Sequence, residues 1–160
     1  MRPMSVTRRT LEALQKLKAL SEIEASSRLT EHALAEAVLH QLAATWLALV
    51  RQVGDAHGIQ PNRVASLDAL CEALQQRGFD SVEADELQRL AADPHSWVST
   101  FFAHYAEVTC PPEPMRAAVT DAIPLQDRSF LEVVRANRYR PWIDALADLI
   151  DAMQGRFHES

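Results

Sequence analysis

The sequence predicts an all-α fold, a single-domain helical bundle of four principal helices plus a short ancillary helical hairpin. Three observations lead to this prediction. The 160 residues are rich in helix formers and contain only four glycines. No run alternates β-branched and polar residues as a half-buried strand does. One long stretch repeats apolar residues at steps of three and four, the period of an α-helix. The length fits one domain, 1–160.

The stretch from Thr30 to His57 is predicted to be the central helix of this bundle. It lacks proline and has no glycine before Gly54. Its periodic apolar residues are Leu34, Val38, Leu42, Trp46, Leu49, Val50 and Val53. Between residues 43 and 50 the apolar character extends around the whole helix, so we expect neighbouring helices on every side of Trp46.

An earlier helix is predicted from about Thr7 to Ser26, with leucines spaced by threes along a slanted face that favours an angled crossing. Ser26 and Ser27 form a weak break, and Thr30 is the expected N-cap of the central helix. The sequence leaves open whether these are two helices or one bent helix.

Two short helices follow and form the predicted hairpin. Gly58 is placed as the left-handed residue that closes the central helix, and Pro61 supports this end. Ser66 is expected to cap the first short helix, which ends at Gly78. A capping box over Asp80–Glu83 is expected to open the second.

The next helix is predicted to start with Asp93 as N-cap and Pro94 at its first position, and to run to about Thr109. One wide face carries its apolar and aromatic residues: Trp97, Val98, Phe101, Phe102, Tyr105 and Val108. We interpret this face as core, although it is wide enough to be shared across a two-fold dimer.

The C-terminal part begins with a proline-containing linker, 110–127, because three prolines in four residues favour an extended chain. A helix is expected over Asp127–Tyr139 and is kinked or broken at Pro141. The last helix runs over Pro141–Gln154, Gly155 ends it, and 155–160 form a frayed tail.

Charge and composition exclude several partners. The net charge of −6 repels phosphate backbones, so we do not expect nucleic acid. Two cysteines are too few for a disulfide framework, and Cys71 is expected to be a buried thiol. The N-terminus has no secretory signal, and no stretch approaches the roughly 20 apolar residues of a membrane span. These features predict a cytoplasmic protein without a membrane partner.

The only basic concentration lies between residues 128 and 140, with four arginines and one acid. Arginine binds phosphate or carboxylate, and interleaved aromatic rings can stack on bases. The candidate contact residues are Arg135, Arg138, Tyr139, Arg140 and Trp142. The alternative is that this patch pairs with acids inside the protein, namely Glu83, Asp85, Glu86 and Asp93.

A metal site is a further hypothesis for the central helix, where His32, Glu36 and His40 share one face. His104 and Glu107 would complete its ligand shell. These residues lie away from the apolar stripe, however, whereas metal ligands in bundles point inward. We therefore interpret them as a solvated polar face and predict no metal and no cofactor.

Arg51 and His57 match the loose arginine–histidine spacing of a class of helical-bundle ribonucleases. That resemblance implies a histidine that shuttles protons and an arginine that stabilises the phosphate. The pair lies at the C-terminal end of a helix, where the dipole repels phosphate. The spacing therefore supports only an alternative function.

A second resemblance covers about the middle third of the chain. It rests on Ser66-Leu67-Asp68-Ala69-Leu70, Glu86-Leu87-x-x-Leu90 and Asp93-Pro94-His95-Ser96-Trp97. These segments resemble a family of small all-helical proteins of unknown function from gammaproteobacteria. The resemblance implies a soluble helical fold and no particular activity.

The sequence thus predicts a non-enzymatic interaction or assembly module without catalytic residues, acting as a homodimer or with an unknown protein partner. The alternative is a nucleotide- or RNA-processing bundle that uses Arg51 and His57 or the arginines. A metal-binding bundle is the third hypothesis.

Overall fold

Six α-helices make up most of the computed structural model, which describes residues 2–110 and 136–159. They are α1 (Arg2–Ser21), α2 (Arg28–Ala56), α3 (Leu67–Arg77), α4 (Val82–Ala92), α5 (Trp97–Thr109) and α6 (Arg140–Glu159). Short 3₁₀ helices lie at Pro61–Arg63 and Ala136–Tyr139. No strand occurs in these described ranges, and the helices form one compact domain, so the predicted all-α class is confirmed.

Helix α2 is the centre of the domain, as predicted, since each of the other five helices contacts it. Its buried apolar residues are Ala35, Val38, Leu39, Leu42, Trp46, Leu49, Val50 and Val53. The Trp46 side chain is 6% exposed and meets the rings of Trp97 and Phe102 edge-on, at centroid distances of 6.2 and 6.1 Å. Trp46 is therefore buried against other helices as expected, but the enclosure of its segment is incomplete, because Ala44 is exposed.

Helix α2 also corrects one expectation about membranes. By length and composition alone it is long and apolar enough to cross a bilayer, contrary to the sequence-based expectation that no stretch approaches that length. A core helix of a soluble protein has the same properties. Here α2 packs against the other helices.

The open question about α1 and α2 is settled in favour of two helices. Ser27 caps α2 by accepting a hydrogen bond from the Thr30 backbone N–H at 3.1 Å, so Thr30 is not the N-cap. Gln41 donates to the Ala13 carbonyl and Gln52 to the Thr7 hydroxyl. Early residues of α1 therefore meet late residues of α2, and the two helices are antiparallel.

The predicted glycine ends of α2 and α3 are confirmed. Gly58 and Gly78 have φ angles of 77° and 69°. After α2 the Ile59 N–H bonds the Gly54 carbonyl at 2.9 Å, and after α3 the Phe79 N–H bonds the Leu74 carbonyl at 3.0 Å. These hydrogen bonds are those of the Schellman motif, which needs a left-handed residue that glycine adopts without steric cost.

The predicted starts of α4 and α5 are wrong by a few residues. Ser81, not Asp80, caps α4 by accepting from the Ala84 N–H at 3.1 Å. Ser96, not Asp93, caps α5. Asp93 instead follows the last residue of α4, and its carboxylate accepts from the His95 N–H at 2.9 Å. Each region offers two good capping residues, and local propensity does not choose between them.

Helix α6 is longer at its C-terminal end than predicted. It starts at Arg140, so Pro141 lies in its first turn, and it continues through Gly155 to Glu159. The predicted end at Gly155 is wrong, and residues 156–159 are helical rather than frayed. A mid-helix glycine costs about 1 kcal/mol relative to alanine, but here Phe157 packs against the core and Arg156 pairs with Glu86 at 2.6 Å. Apart from Cys110 and residues 136–139, the predicted linker 110–127 and the helix over 127–139 lie outside the described residues.

Gly54 brings the chain after α2 close to the α2 backbone. A Cβ atom at this position would lie 3.2 Å from Leu70 Cδ1 and 3.3 Å from Val64 Cγ2, tighter than ordinary contact. Leu70 and Val64 are fully buried. The absence of a side chain therefore lets α3 approach α2.

The cysteines are both free thiols, with Cys71 half-buried and Cys110 exposed. Burial, with a smaller effect of the nearby Asp68 charge, raises the pKa of the Cys71 thiol. The predicted burial of Cys71 is therefore only partial.

Candidate functional site

The candidate arginine patch divides between surface and core. Arg138 and Arg140 are exposed, Trp142 is half-buried and Tyr139 is only 1% exposed. Arg135 lies outside the described residues. The Tyr139 ring is therefore a core side chain, and it is not available to stack on a ligand.

Tyr139 connects two of the sequence-based candidates. Its hydroxyl shares a hydrogen bond of 2.9 Å with His104 Nε2, and its ring stacks on Trp142 at a centroid distance of 5.3 Å. Burial raises the pKa of Tyr139 to about 12 and lowers the pKa of His104. Both side chains are thus held in their neutral forms near pH 7, joined to each other.

A second histidine–tyrosine pair lies beside the first. His40 Nδ1 and the Tyr105 hydroxyl share a hydrogen bond of 2.9 Å, with the two rings edge-on. Because Tyr105 and His104 are adjacent on α5, the two pairs connect α2, α5 and the 3₁₀ helix that precedes α6. We name the group of His40, His104, Tyr105, Tyr139 and Trp142 the His–Tyr junction.

The metal hypothesis gains no support from this geometry. Among residues 2–110 and 136–159, no three His, Cys, Asp or Glu side chains are grouped so that they could hold an ion. His40 and His104, which would have been ligands, each direct a ring nitrogen to a tyrosine hydroxyl. The buried Nε2 of His32 has no hydrogen-bond partner within the described part of the chain, and His32 is itself half-buried.

Arg51 and His57 hold the connection between α2 and α3. Arg51 Nε donates to the Val64 carbonyl at 2.9 Å, and the His57 ring lies 5.8 Å from the ring of Phe79. Arg77 adds a hydrogen bond to the carbonyl of Gly58 at 3.3 Å. The guanidinium of Arg51 therefore gives the Val64 carbonyl the hydrogen-bond donor that a helix or a sheet would otherwise supply.

A buried amide pair was not found by sequence reasoning. Gln52 and Gln154 are 4% and 9% exposed and bond each other twice, with Nε2–Oε1 distances of 2.9 and 2.8 Å. Gln52 Nε2 also contacts the hydroxyl of Thr7 at 3.1 Å. The sequence contains one indication of this pair. Gln52 is an uncharged amide in a largely apolar stretch, after Leu49, Val50 and Arg51 and before Val53.

Within the described residues, no acid of α4 forms an ion pair with Arg138 or Arg140. Glu86 instead pairs with Arg156, near the end of α6, at 2.6 Å. Residues 66–93, which span α3 and α4, contain seven acids and two arginines, a net charge of −5 in a chain whose total is −6. At the turn between these helices Phe79 is 46% and Val82 is 72% exposed.

An apolar cleft opens next to Trp46, between α2, the first turn of α3, the end of α4 and α5. Its volume is about 360 Å³. Its apolar lining is formed by Ala43, Trp46, Leu47, Ala65, Leu67, Ala91 and Phe102. Ser66 and Asp68 complete the lining, and Asp68 is the single charged residue in it. We call this feature the apolar cleft.

The apolar cleft was also missed by sequence reasoning. Trp46 and Phe102 are core residues as predicted, but small residues such as Ala43 and Ala91 leave space beside them. An alanine on a helix gives no sign of whether its neighbour fills that space, so the cleft could not be predicted from spacing.

Comparison of the chain with known protein families, with curated proteins and with solved structures finds no match. The resemblance of residues 66–97 to a gammaproteobacterial family therefore stays a prediction. The geometry of the apolar cleft and of the His–Tyr junction is the remaining basis for a functional proposal.

Proposed function

We propose that the chain is a non-enzymatic interaction module that binds another protein through the apolar cleft. One observation carries this proposal: the apolar walls around Trp46 and Phe102 enclose about 360 Å³ that no described side chain fills. The histidines and tyrosines with catalytic potential, by contrast, bond each other. In each pair one ring nitrogen of the histidine is directed at a tyrosine hydroxyl.

The size of the cleft suits a large side chain of a partner. A cavity of about 150 Å³ accepts a benzene ring, so about 360 Å³ has room for one large aromatic or aliphatic side chain and part of its neighbours. Binding energy at protein interfaces concentrates in such anchors, which fill apolar pockets from which water is excluded. The edges of Trp46 and Phe102 offer an anchor ring the edge-to-face contacts that aromatic pairs prefer.

We also propose the finer architecture predicted from the sequence, with four principal helices and an ancillary hairpin. This hairpin consists of α3 and α4 and forms one wall of the apolar cleft. We further propose that the protein acts in the cytoplasm and is related to the gammaproteobacterial family. The ribonuclease and metal-binding alternatives have less support, because Arg51 Nε bonds the Val64 carbonyl and His40 bonds the Tyr105 hydroxyl.

We also propose that the chain forms a homodimer, through a surface that is separate from the apolar cleft. Ile23 is 51% and Leu29 is 81% exposed, and both lie at the connection between α1 and α2. Light scattering after size exclusion should give about twice the monomer mass of 17.9 kDa, and Leu29→Lys should return it to the monomer mass. A wild-type monomer at micromolar concentration would remove the dimer from the proposal without affecting the apolar cleft.

Binding at the apolar cleft can be tested with a variant that fills it. Random peptides displayed on phage are selected on the immobilised full chain, and the selected peptides are titrated against Ala91→Trp and Ala92→Trp. Both alanines are exposed near the end of α4, but only Ala91 lines the cleft. We expect Ala91→Trp to weaken binding at least ten-fold and Ala92→Trp to leave it unchanged.

Circular dichroism of both variants verifies that the fold is retained. Selected peptides that bind wild type, Ala91→Trp and Ala92→Trp equally would show that the apolar cleft is not the binding site. A selection that yields no binding peptide would contradict the interaction function itself.

A further inference from the structure

Resting on the proposed function, we infer the class of the partner: a basic protein segment that inserts one large apolar side chain into the apolar cleft and pairs its lysines or arginines with the surrounding acids. The inference joins two observations, the open apolar space beside Trp46 and the concentration of negative charge on the two helices that border it.

Part of the negative charge of these two helices lies at the cleft itself. Residues 66–93 carry a net charge of −5, and α3 and α4 supply the rim positions Leu67, Asp68 and Ala91. Five acids of this region are exposed and form no ion pair within the described ranges: Asp68, Glu72, Asp80, Asp85 and Asp93. Asp68 lines the cleft and Glu72 follows it by one turn of α3, whereas Asp80 lies beyond the opposite end of α3. The carboxylates of Asp68 and Glu72 therefore attract a positively charged chain to this end of the hairpin.

Asp68 places one carboxylate directly at the cleft. It lies in the first turn of α3, after the N-cap Ser66, where the helix dipole stabilises a negative charge. That position explains why Asp68 is tolerated beside the apolar Leu67. An arginine next to the anchor side chain could meet this carboxylate with two parallel N–H···O bonds, the geometry that gives such pairs their specificity.

The same charge disfavours the other occupants of the cleft. A second copy of this chain would bring its own acidic helices against these ones. Nucleic acid and anionic lipid surfaces carry the same sign of charge as residues 66–93. Residues 128–140 of the chain itself carry a net charge of +3, and if this segment filled the cleft none of the peptides tested below would bind there. A basic segment of a different protein is the occupant that charge complementarity selects.

Three synthetic peptides of equal length test the inference on the full chain. The first is a lysine-rich peptide with one tryptophan, the second replaces this tryptophan by alanine, and the third replaces the lysines by glutamates. Binding is followed by ¹H–¹⁵N NMR at low and at high salt. We expect the first peptide to bind at least ten-fold tighter than either other peptide. We also expect its affinity to fall several-fold with added salt, and the largest shifts to lie at Leu67, Asp68 and the Trp46 indole.

A pair of matched variants separates local charge from total charge. Asp68→Asn combined with Glu72→Gln removes two negative charges beside the cleft, and Asp148→Asn combined with Asp151→Asn removes two from exposed positions on α6. The first pair should weaken binding of the lysine-rich peptide at least five-fold, and the second pair should change it less than two-fold. Equal effects of the two pairs would overturn the local pairing inferred here.

The inference and the proposed function fail in different ways. If the glutamate peptide, or neutral peptides from the phage selection, bind at the cleft as tightly as the lysine-rich peptide, the partner class is wrong and the interaction function stands. If neither the synthetic nor the selected peptides shift the cleft residues, the interaction function itself is wrong.

Discussion

The His–Tyr junction and the apolar cleft differ in both chemistry and openness. The junction contains the residue types that catalyse reactions and bind metals, but its two histidines and two tyrosines are hydrogen-bonded in pairs at 2.9 Å. The cleft is lined mainly by alanine, leucine and aromatic side chains, with Ser66 and Asp68, and it has about 360 Å³ that no described residue fills. In the chemically richer region the side chains bond each other, and in the chemically plainer one a space lies beside them.

This difference shows that residue type alone does not identify a site. A polar side chain whose donors and acceptors are already paired contributes to stability, because breaking the pair leaves a buried group without a partner. An apolar side chain that borders an unfilled space can still gain contacts from another molecule. Within the described residues, the apolar cleft and the unpartnered Nε2 of His32 are the places where contacts remain incomplete.

The largest expected effect contrasts one residue from each region. Tyr139→Ala removes a fully buried ring and leaves His104 Nε2 without its partner, so we expect a loss of roughly 3–5 kcal/mol in the free energy of unfolding. Leu67→Ala, at the half-buried rim of the cleft, should cost only about 1 kcal/mol. Urea unfolding followed by circular dichroism measures both. Equal losses would mean that the cleft residues contribute as much to stability as those of the junction.

The buried amide pair gives an intermediate effect and tests whether paired polar groups behave as argued. Gln52→Leu leaves the amide of Gln154 buried without its partner, and we expect a loss of roughly 1–3 kcal/mol in unfolding free energy. Combining it with Gln154→Leu removes both amides and should recover much of that loss. A double variant whose destabilisation equals the sum of the two single variants would contradict this coupling.

The smallest expected effect is the change in the free energy of unfolding with pH. Burial lowers the pKa of His104; the nearby Glu107 partly offsets this effect, and Arg138 adds to it. The unfolded chain therefore binds this proton more readily than the folded protein does. Stability is fully retained above the unfolded pKa of about 6.5 and decreases as the pH falls below it.

His104→Gln should flatten this dependence between pH 8 and pH 5 in urea unfolding, while His95→Gln at an exposed position serves as the control. The glutamine amide can still bond the Tyr139 hydroxyl, so the variant changes the titration more than the packing. Parallel curves for wild type and His104→Gln would show that His104 does not contribute to the pH dependence.

Helix ends that require a special backbone conformation were predictable from sequence. Gly58 and Gly78 both adopt positive φ, because few other residues tolerate it. Helix starts were less predictable, since Ser27 and Thr30, or Asp80 and Ser81, can all accept a backbone N–H. At the end of α6 the packing of Phe157 outweighs the low helix propensity of Gly155.

The candidate site was harder to predict, because sequence periodicity places a residue on a face without identifying its partner. His104 and Tyr139 were each singled out for separate roles, and only the fold shows that they bond each other across 35 positions. An unfilled space between helices is harder still to infer from a sequence. The cleft exists because the residues opposite Trp46 are small and nothing else in the described ranges fills the gap.

Gly54 has a consequence for how this protein can diverge. It sets how closely the start of α3 lies against α2, and this same start carries Leu67 at the edge of the cleft. A single added methyl group at position 54 would have to displace Leu70 and Val64 by a few tenths of an ångström. A change of one methyl group at position 54, which does not line the cleft, would therefore adjust the width of its opening.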